Sequence, residues 1–142
     1  MAKTYADFPL FGGRPINPGL MGPINEWAAE VNDHDPGIWP VLKSHVSQGA
    51  GSAGASRGTH KKGWCIDFKS RGLANDTVRR MVNALNIHNS RYFAAVLRLP
   101  GEAGASEHIH AAFHNRENYL RVLALIGPDG PNYIEKKLAK RK

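Results

Sequence analysis

The chain has 142 residues, 42% hydrophobic and 22% charged, the make-up of one globular domain with room for a core of ordinary size. No apolar run approaches the roughly 20 residues needed to span a bilayer, and Met1 to Gly13 lacks the sustained apolar segment of a secretory signal. The one cysteine, Cys65, excludes an intramolecular disulfide framework.

The net charge of +7 suggests nucleic acid until it is located. Lys136, Lys137, Lys140, Arg141 and Lys142 crowd the C-terminus, so residues 1–135 are only weakly basic. Residues 131–142 therefore read as a basic tail, able to attract nucleic acid or an anionic wall polymer, or simply a solvated end. The chain is expected to be a monomer without a membrane span, made in a cytoplasm.

In chain order, residues 1–23 hold Pro9, Pro15, Pro18 and Pro23 among several glycines and read as an irregular lead-in. Ile24, Trp27, Ala28 and Val31 fall at helical spacing, and Asp33 to Gly37 supply the stop. Leu42 to Ser47 suggests a strand. The run Gln48 to Gly58 is too poor in large side chains to pack by itself and reads as a surface loop, either a plain linker or, since His60 follows directly, one lining a cleft. Asn75 or Asp76 is placed to cap a helix with a stripe of Val78, Met81, Val82 and Leu85. Tyr92 to Leu99 reads as a strand, and Pro100 to Ser106 as a loop. Asn115 is the expected cap of a last helix containing Tyr119, Leu120, Leu123 and Ile126, ended by Gly127-Pro128-Asp129-Gly130-Pro131. This order predicts an α+β fold: a small, mostly antiparallel sheet with helices on one face.

Two stretches carry chemistry. In Glu107-His108-Ile109-His110-Ala111-Ala112-Phe113-His114, strand alternation puts His108, His110 and His114 on one face and Ile109, Ala111 and Phe113 on the other. His114 lies more than about 12 Å beyond His110 at the usual strand rise, which places it at a rim. In Thr59-His60-Lys61-Lys62-Gly63-Trp64-Cys65-Ile66-Asp67-Phe68, the apolar face is Trp64, Ile66 and Phe68, leaving Cys65 and Asp67 opposite. If the two strands are neighbours, His60, Asp67 and His110 can converge. Two imidazoles and a carboxylate are a hydrolytic zinc set with a fourth position for water. A closed structural zinc site would call for more than one cysteine. A His-rich strand with no metal is the bland alternative, and His34, His45 and His88 stand in unpatterned contexts as ordinary surface residues.

These motifs resemble the zinc peptidases that include D-alanyl-D-alanine carboxypeptidases and L-alanyl-D-glutamate endopeptidases. Gly58 to Asp67 is similar to their His-x6-Asp element and Glu107-His108-Ile109-His110 to their Glu-x-x-His element. The His-Ile-His core also resembles the zinc strand of the hedgehog signalling domain, and the overall likeness is greatest to small bacteriophage peptidoglycan peptidases. The resemblance spans Gln48 to His114. It implies zinc held by His60, Asp67 and His110, with Glu107 as general base and His108 beside the developing oxyanion. It also implies a peptidoglycan stem peptide as substrate, reached after lysis or by virion delivery. Arg57 or Arg98 would grip a substrate carbonyl or carboxylate. Two departures stand out. Alternation puts Glu107 on the face opposite His110, so it reaches the metal water only through a bulge or an inward-turned loop, with Glu102 as the substitute base. Cys65-Ile66 also replaces the small pair common in relatives.

Two other readings compete. His108-Ile109-His110 also fits the His-hydrophobic-His strand of rolling-circle DNA nicking endonucleases, with Tyr133 of Tyr133-Ile134-Glu135-Lys136 as nucleophile. The same fold could also serve as a non-catalytic wall-binding or virion module.

Overall fold

The computed structural model describes residues 9–48, 63–102, 106–116, 118–130 and 132–141. Arg57 and His60 lie outside them. The described chain is α+β, with a two-stranded hairpin, a four-stranded antiparallel sheet and helices around it.

The expected irregular lead-in contains order of its own. Strands β1 (Leu10–Phe11) and β2 (Arg14–Pro15) pair antiparallel across Gly12 and Gly13, whose φ of 58° and 82° suit the tight hairpin turn. Gly12 is also sterically required, because a Cβ there would sit 2.4 Å from the Lys43 carbonyl oxygen. Helix α1 (Met21–His34) then starts earlier and runs longer than the apolar spacing predicts, burying Ile24, Trp27 and Val31. Helix α2 (Ile38–Ser44) occupies much of the expected Leu42 to Ser47 strand. Ile38 and Leu42, four apart, bury one helical face, and Pro40 in the first turn forfeits no helical hydrogen bond. Only Val46–Gln48 becomes a strand, β3.

The main sheet adds β4 (Cys65–Lys69), β5 (Phe93–Arg98) and β6 (His108–Phe113) in the order β3-β4-β6-β5, every pair antiparallel. Ile66, Phe68, Phe93, Ala95, Leu97, Ile109 and Ala111 alternate onto one face and are buried. That face meets the aromatic part of the core: Trp27 packs edge-on to Phe93 at 5.3 Å, and Phe11 to Phe68 at 6.3 Å. Helix α3 (Asn75–Leu85) buries the stripe Val78, Met81, Val82 and Leu85, as its spacing predicts. Its N-cap is Ala74, with no side-chain cap bond. A short turn of helix, α4 (Ile87–Ser90), leads into β5, and α5 (Tyr119–Ile126) lies against β5 and β6. Its buried members are Tyr119 and Val122, whereas Leu120 is 75% exposed. No helix among the described residues is long and apolar enough to cross a membrane.

The basic tail is a packed helix. In α6 (Asn132–Lys140), Tyr133, Ile134 and Leu138 are buried, an apolar stripe that holds the segment down. Lys136 pairs with Asp129, Lys137 with Glu102, and Arg141 just beyond the helix with Glu107. Much of the charge that reads as a free anchor is thus met by carboxylates of the same chain.

Strand β5 is an outer strand whose exposed backbone is capped by side chains. The Asn86 amide both accepts from Ala95 N–H at 2.8 Å and donates to its carbonyl at 3.0 Å. The Tyr133 hydroxyl does the same at Leu97, at 2.7 and 3.3 Å, and Glu102 accepts from Leu99 N–H at 2.8 Å. Three side chains therefore stand in for a missing fifth strand. Burial, outweighing the Leu97 hydrogen bond, pushes the Tyr133 hydroxyl up to about 12. A folded pKa raised above the ordinary 10 gives stability that is complete below pH 10 and fades as pH climbs toward 12. Tyr133→Phe should cost about 1–2 kcal/mol in urea unfolding and should abolish a tyrosinate absorbance step near pH 12. An unchanged unfolding midpoint would show that the cap contributes nothing.

Candidate functional site

Because directly paired residues share a face, the register of β4, β6 and β5 decides what stands opposite the core. Asp67 pairs with His110 and His110 with Val96, forming one row; Lys69 pairs with His108 and His108 with Arg98, forming the next. The polar face thus presents an Asp–His pair beside a row of three basic side chains.

Asp67 and His110 are separated by 43 residues in sequence and are 8% and 7% exposed. The His110 Nδ1–H donates to Asp67 Oδ1 at 2.8 Å. On the other side of the ring, Asn118 Nδ2 donates to Nε2 at 2.8 Å. With Asn118 Nδ2 as donor, the two bonds match the Nδ1–H tautomer of the ring. Asn118 precedes α5 in a left-handed conformation, φ 69°, and makes no cap bond to that helix. Its side chain is spent on His110 instead.

His108 is half-buried, and its Nδ1–H donates to the Ser106 carbonyl at 2.9 Å. Arg98 lies across from it, and its buried Nε has no hydrogen-bond partner among the described residues. Cys65 shares the face, buried and paired with Ala112. His114 packs edge-on to Tyr119 at 4.8 Å and bonds the Ser90 carbonyl at 3.2 Å, so its role is to seat α5.

The two expected bases stand elsewhere. Glu107 precedes β6 on the Ile109 side and is nearly buried between Ser70 Oγ at 2.7 Å and Arg141 Nε at 2.9 Å. No bulge interrupts the β4–β6 ladder to turn it toward His110. The expectation of Glu107 as general base is therefore not met by this arrangement: alternation and a charge-assisted bond to Arg141 both hold it away. Glu102 caps Leu99 and pairs with Lys137. Burial raises its pKa, but the Leu99 N–H and the Lys137 ammonium outweigh this and hold the carboxyl below its ordinary value, a poor setting for a base. Arg57 and His60 lie outside the described residues, so the third expected ligand and the second arginine have no geometry here.

Asp67 and His110 fit a metal in donor type and position. Donors about 2.0–2.2 Å from a tetrahedral zinc stand about 3.3 Å apart, so the 2.8 Å pair needs to spread only slightly to admit an ion. Sequence reasoning missed Asn118 and Lys69, since nothing in an Asn before a helix tells capping from a bond across the fold. It also assigned His34 and His88 to ordinary surface. Together with Glu30 they form a group whose donor atoms lie within 4.8 Å of one another and could hold a metal ion. No family model, curated protein or solved structure matches the chain.

Nitrogen-detected NMR of the metal-free protein should show His110 as the Nδ1–H tautomer. Asn118→Leu, which removes a partner from Nε2, should cost about 1 kcal/mol in chemical unfolding. An Nε2–H tautomer in the wild-type chain would contradict the hydrogen bonding described.

Proposed function

We propose that the chain is a zinc-dependent metallopeptidase that hydrolyses peptide bonds in peptidoglycan stem peptides, as a phage endolysin or virion-associated wall hydrolase. The observation that carries this reading is the meeting of Asp67 and His110 at 2.8 Å on adjacent strands. Each belongs to a different one of the two motifs that resemble the zinc peptidases.

Asp67 and His110 would hold the metal with His60, and Asn118 would fix the far side of the His110 ring, turning its amide oxygen to the ring whenever Nε2 carries the proton. Bound zinc supplies Lewis acidity, polarising a scissile carbonyl and lowering the pKa of water to about 7. Lys69, His108 and Arg98, in the neighbouring row, offer donors to a developing oxyanion or a substrate carboxylate. Such a row suits stem peptides, which carry free carboxylates. A base drawn from Glu107 would require its bonds to Ser70 and Arg141 to open when substrate binds.

The DNA-nicking alternative loses its nucleophile. Tyr133 is 7% exposed, bonded to Leu97 through both backbone groups, and raised to about 12 by burial. Its place is the edge of β5 rather than the histidine face.

Full-length protein loaded with two equivalents of zinc should release peptide fragments from purified muropeptides, identified by mass spectrometry. Asp67→Asn and His110→Gln should each abolish release and lower zinc affinity by at least about tenfold, while Tyr133→Phe retains activity. Glu107→Gln tests the base: lost hydrolysis with zinc retained would mean that the Arg141 contact opens during turnover. Intact muropeptides after incubation with the zinc-loaded wild-type chain would end the peptidase reading.

A further inference from the structure

We propose that Glu30, His34 and His88 form a second, surface site for a divalent transition-metal ion of the zinc, cobalt and nickel class, joining α1 to the turn that feeds β5. Glu30 and His34 are four residues apart on α1, so they stack on one helical face. The third member comes from a different element. His88 Nε2 lies 3.1 Å from Glu30 Oε2, and the His34 and His88 rings meet edge-on at 5.7 Å.

The turn that presents His88 is unusual. His88, Asn89 and Ser90 have φ of 56°, 57° and 67°, three consecutive side-chain-bearing residues in the left-handed region. Ser90 is nearly buried and its N–H bonds the Asn86 carbonyl at 3.2 Å, while Asn86 is itself fixed to Ala95 of β5. A conformation disfavoured residue by residue is thus anchored at both sides and delivers one imidazole to α1.

The donor set and surroundings decide the ligand. Two imidazoles and one carboxylate favour late first-row divalent metals over magnesium or calcium, and three protein donors leave positions for solvent. Donors within 4.8 Å of one another must draw together to about 3.3 Å around such an ion. His34 and His88 are exposed, and rotation of surface side chains suffices for this closure. Arg80, which lines a cavity together with His34, is already satisfied, since it bonds both Asp35 oxygens, at 2.8 and 2.5 Å. A cavity of about 200 Å³ bordered by His34, Asp35, Arg80 and Ile87 adjoins the group.

An ion here would tie α1 to the entrance of β5 close to where Trp27 packs on Phe93. Binding only the folded state, it raises stability by mass action. The site shares no residue with Asp67 and His110, so it stands whether or not the peptidase reading holds.

The test is calorimetric titration of the metal-free full chain with Zn2+ and Co2+, on the wild type, on Asp67→Asn/His110→Gln, and on His34→Ala/His88→Asn. Asparagine is chosen at position 88 because it tolerates the left-handed backbone. We expect the Asp67/His110 variant to keep one ion per chain, with a melting temperature raised by about 5–10 °C at a hundredfold excess over Kd. The His34/His88 variant should lose that ion and at least about tenfold in affinity at this site. Glu30→Gln, which keeps the side-chain shape, should weaken binding in the same direction. The proposal is overturned if the His34/His88 variant binds with unchanged stoichiometry and affinity, or if the Asp67/His110 variant binds no ion.

Discussion

The ladder between β4 and β6 is the constraint on which the molecule depends. Five consecutive pairs, from Cys65 with Ala112 to Lys69 with His108, set every side chain of both strands on one face or the other. Sliding one strand by a single residue would expose Ile66 and Phe68 and drive Asp67 and Lys69 into the apolar core. Burial of the apolar set on one face therefore fixes the position of the polar set on the other. The ladder is reinforced at its end, where Phe113 N–H bonds the Trp64 carbonyl at 2.9 Å, Phe113 stacks on Trp64, and the Arg116 guanidinium lies 4.3 Å over that indole. Packing energy thus sets chemical geometry.

The open edge of the sheet makes a second demand, and it consumes residues that look chemical in the sequence. Tyr133 and Glu102 belong to types that serve as nucleophile and base, and each is used instead to satisfy a backbone group, Tyr133 at Leu97 in β5 and Glu102 at Leu99 just beyond it. Glu107 goes the same way at the end of β6, where with Ser70 it receives Arg141, which also reaches Asn75 at the start of α3 and the Ser70 carbonyl. That bond joins the last described residue of the chain to the strand carrying His110. Residue type names what a side chain can do, but the nearest unsatisfied group decides what it does.

The legible parts of the sequence were those governed by a simple period. Alternation in Trp64 to Phe68 and in His108 to Phe113 gave both faces, and the Val78 to Leu85 stripe gave its helix, because burial of a repeating pattern has one solution. Leu42 to Ser47 was misread since Ile38 and Leu42 share a helical face only if the helix starts before the window that suggested a strand. The C-terminal lysines concealed a stripe of Tyr133, Ile134 and Leu138, whose apolar periodicity outweighs the charge around it. The Asn118 bond to His110 arises from one left-handed residue, and the approach of His88 to Glu30 and His34 from three in succession, His88, Asn89 and Ser90, with long-range consequences in both cases. No local pattern encodes those.

The Asp67–His110 pair bears on function through its setting. Its neighbours on the same face, Cys65, Ala94, Val96 and Ala112, are small or apolar and almost fully buried. Desolvating a carboxylate among them is costly, and a hydrogen-bonded pair recovers that cost only in part compared with apolar residues of similar size. A sheet shaped by stability alone would continue the alanine and valine pattern through both positions. The second bond to His110, from Asn118, orients a ring that packing alone could have held, and an oriented imidazole beside a carboxylate is what a ligand-binding centre needs. If the proposed function holds, the two polar residues are stability given up for chemistry, which is why that proposal rests on this pair rather than on the richer set of charges around it.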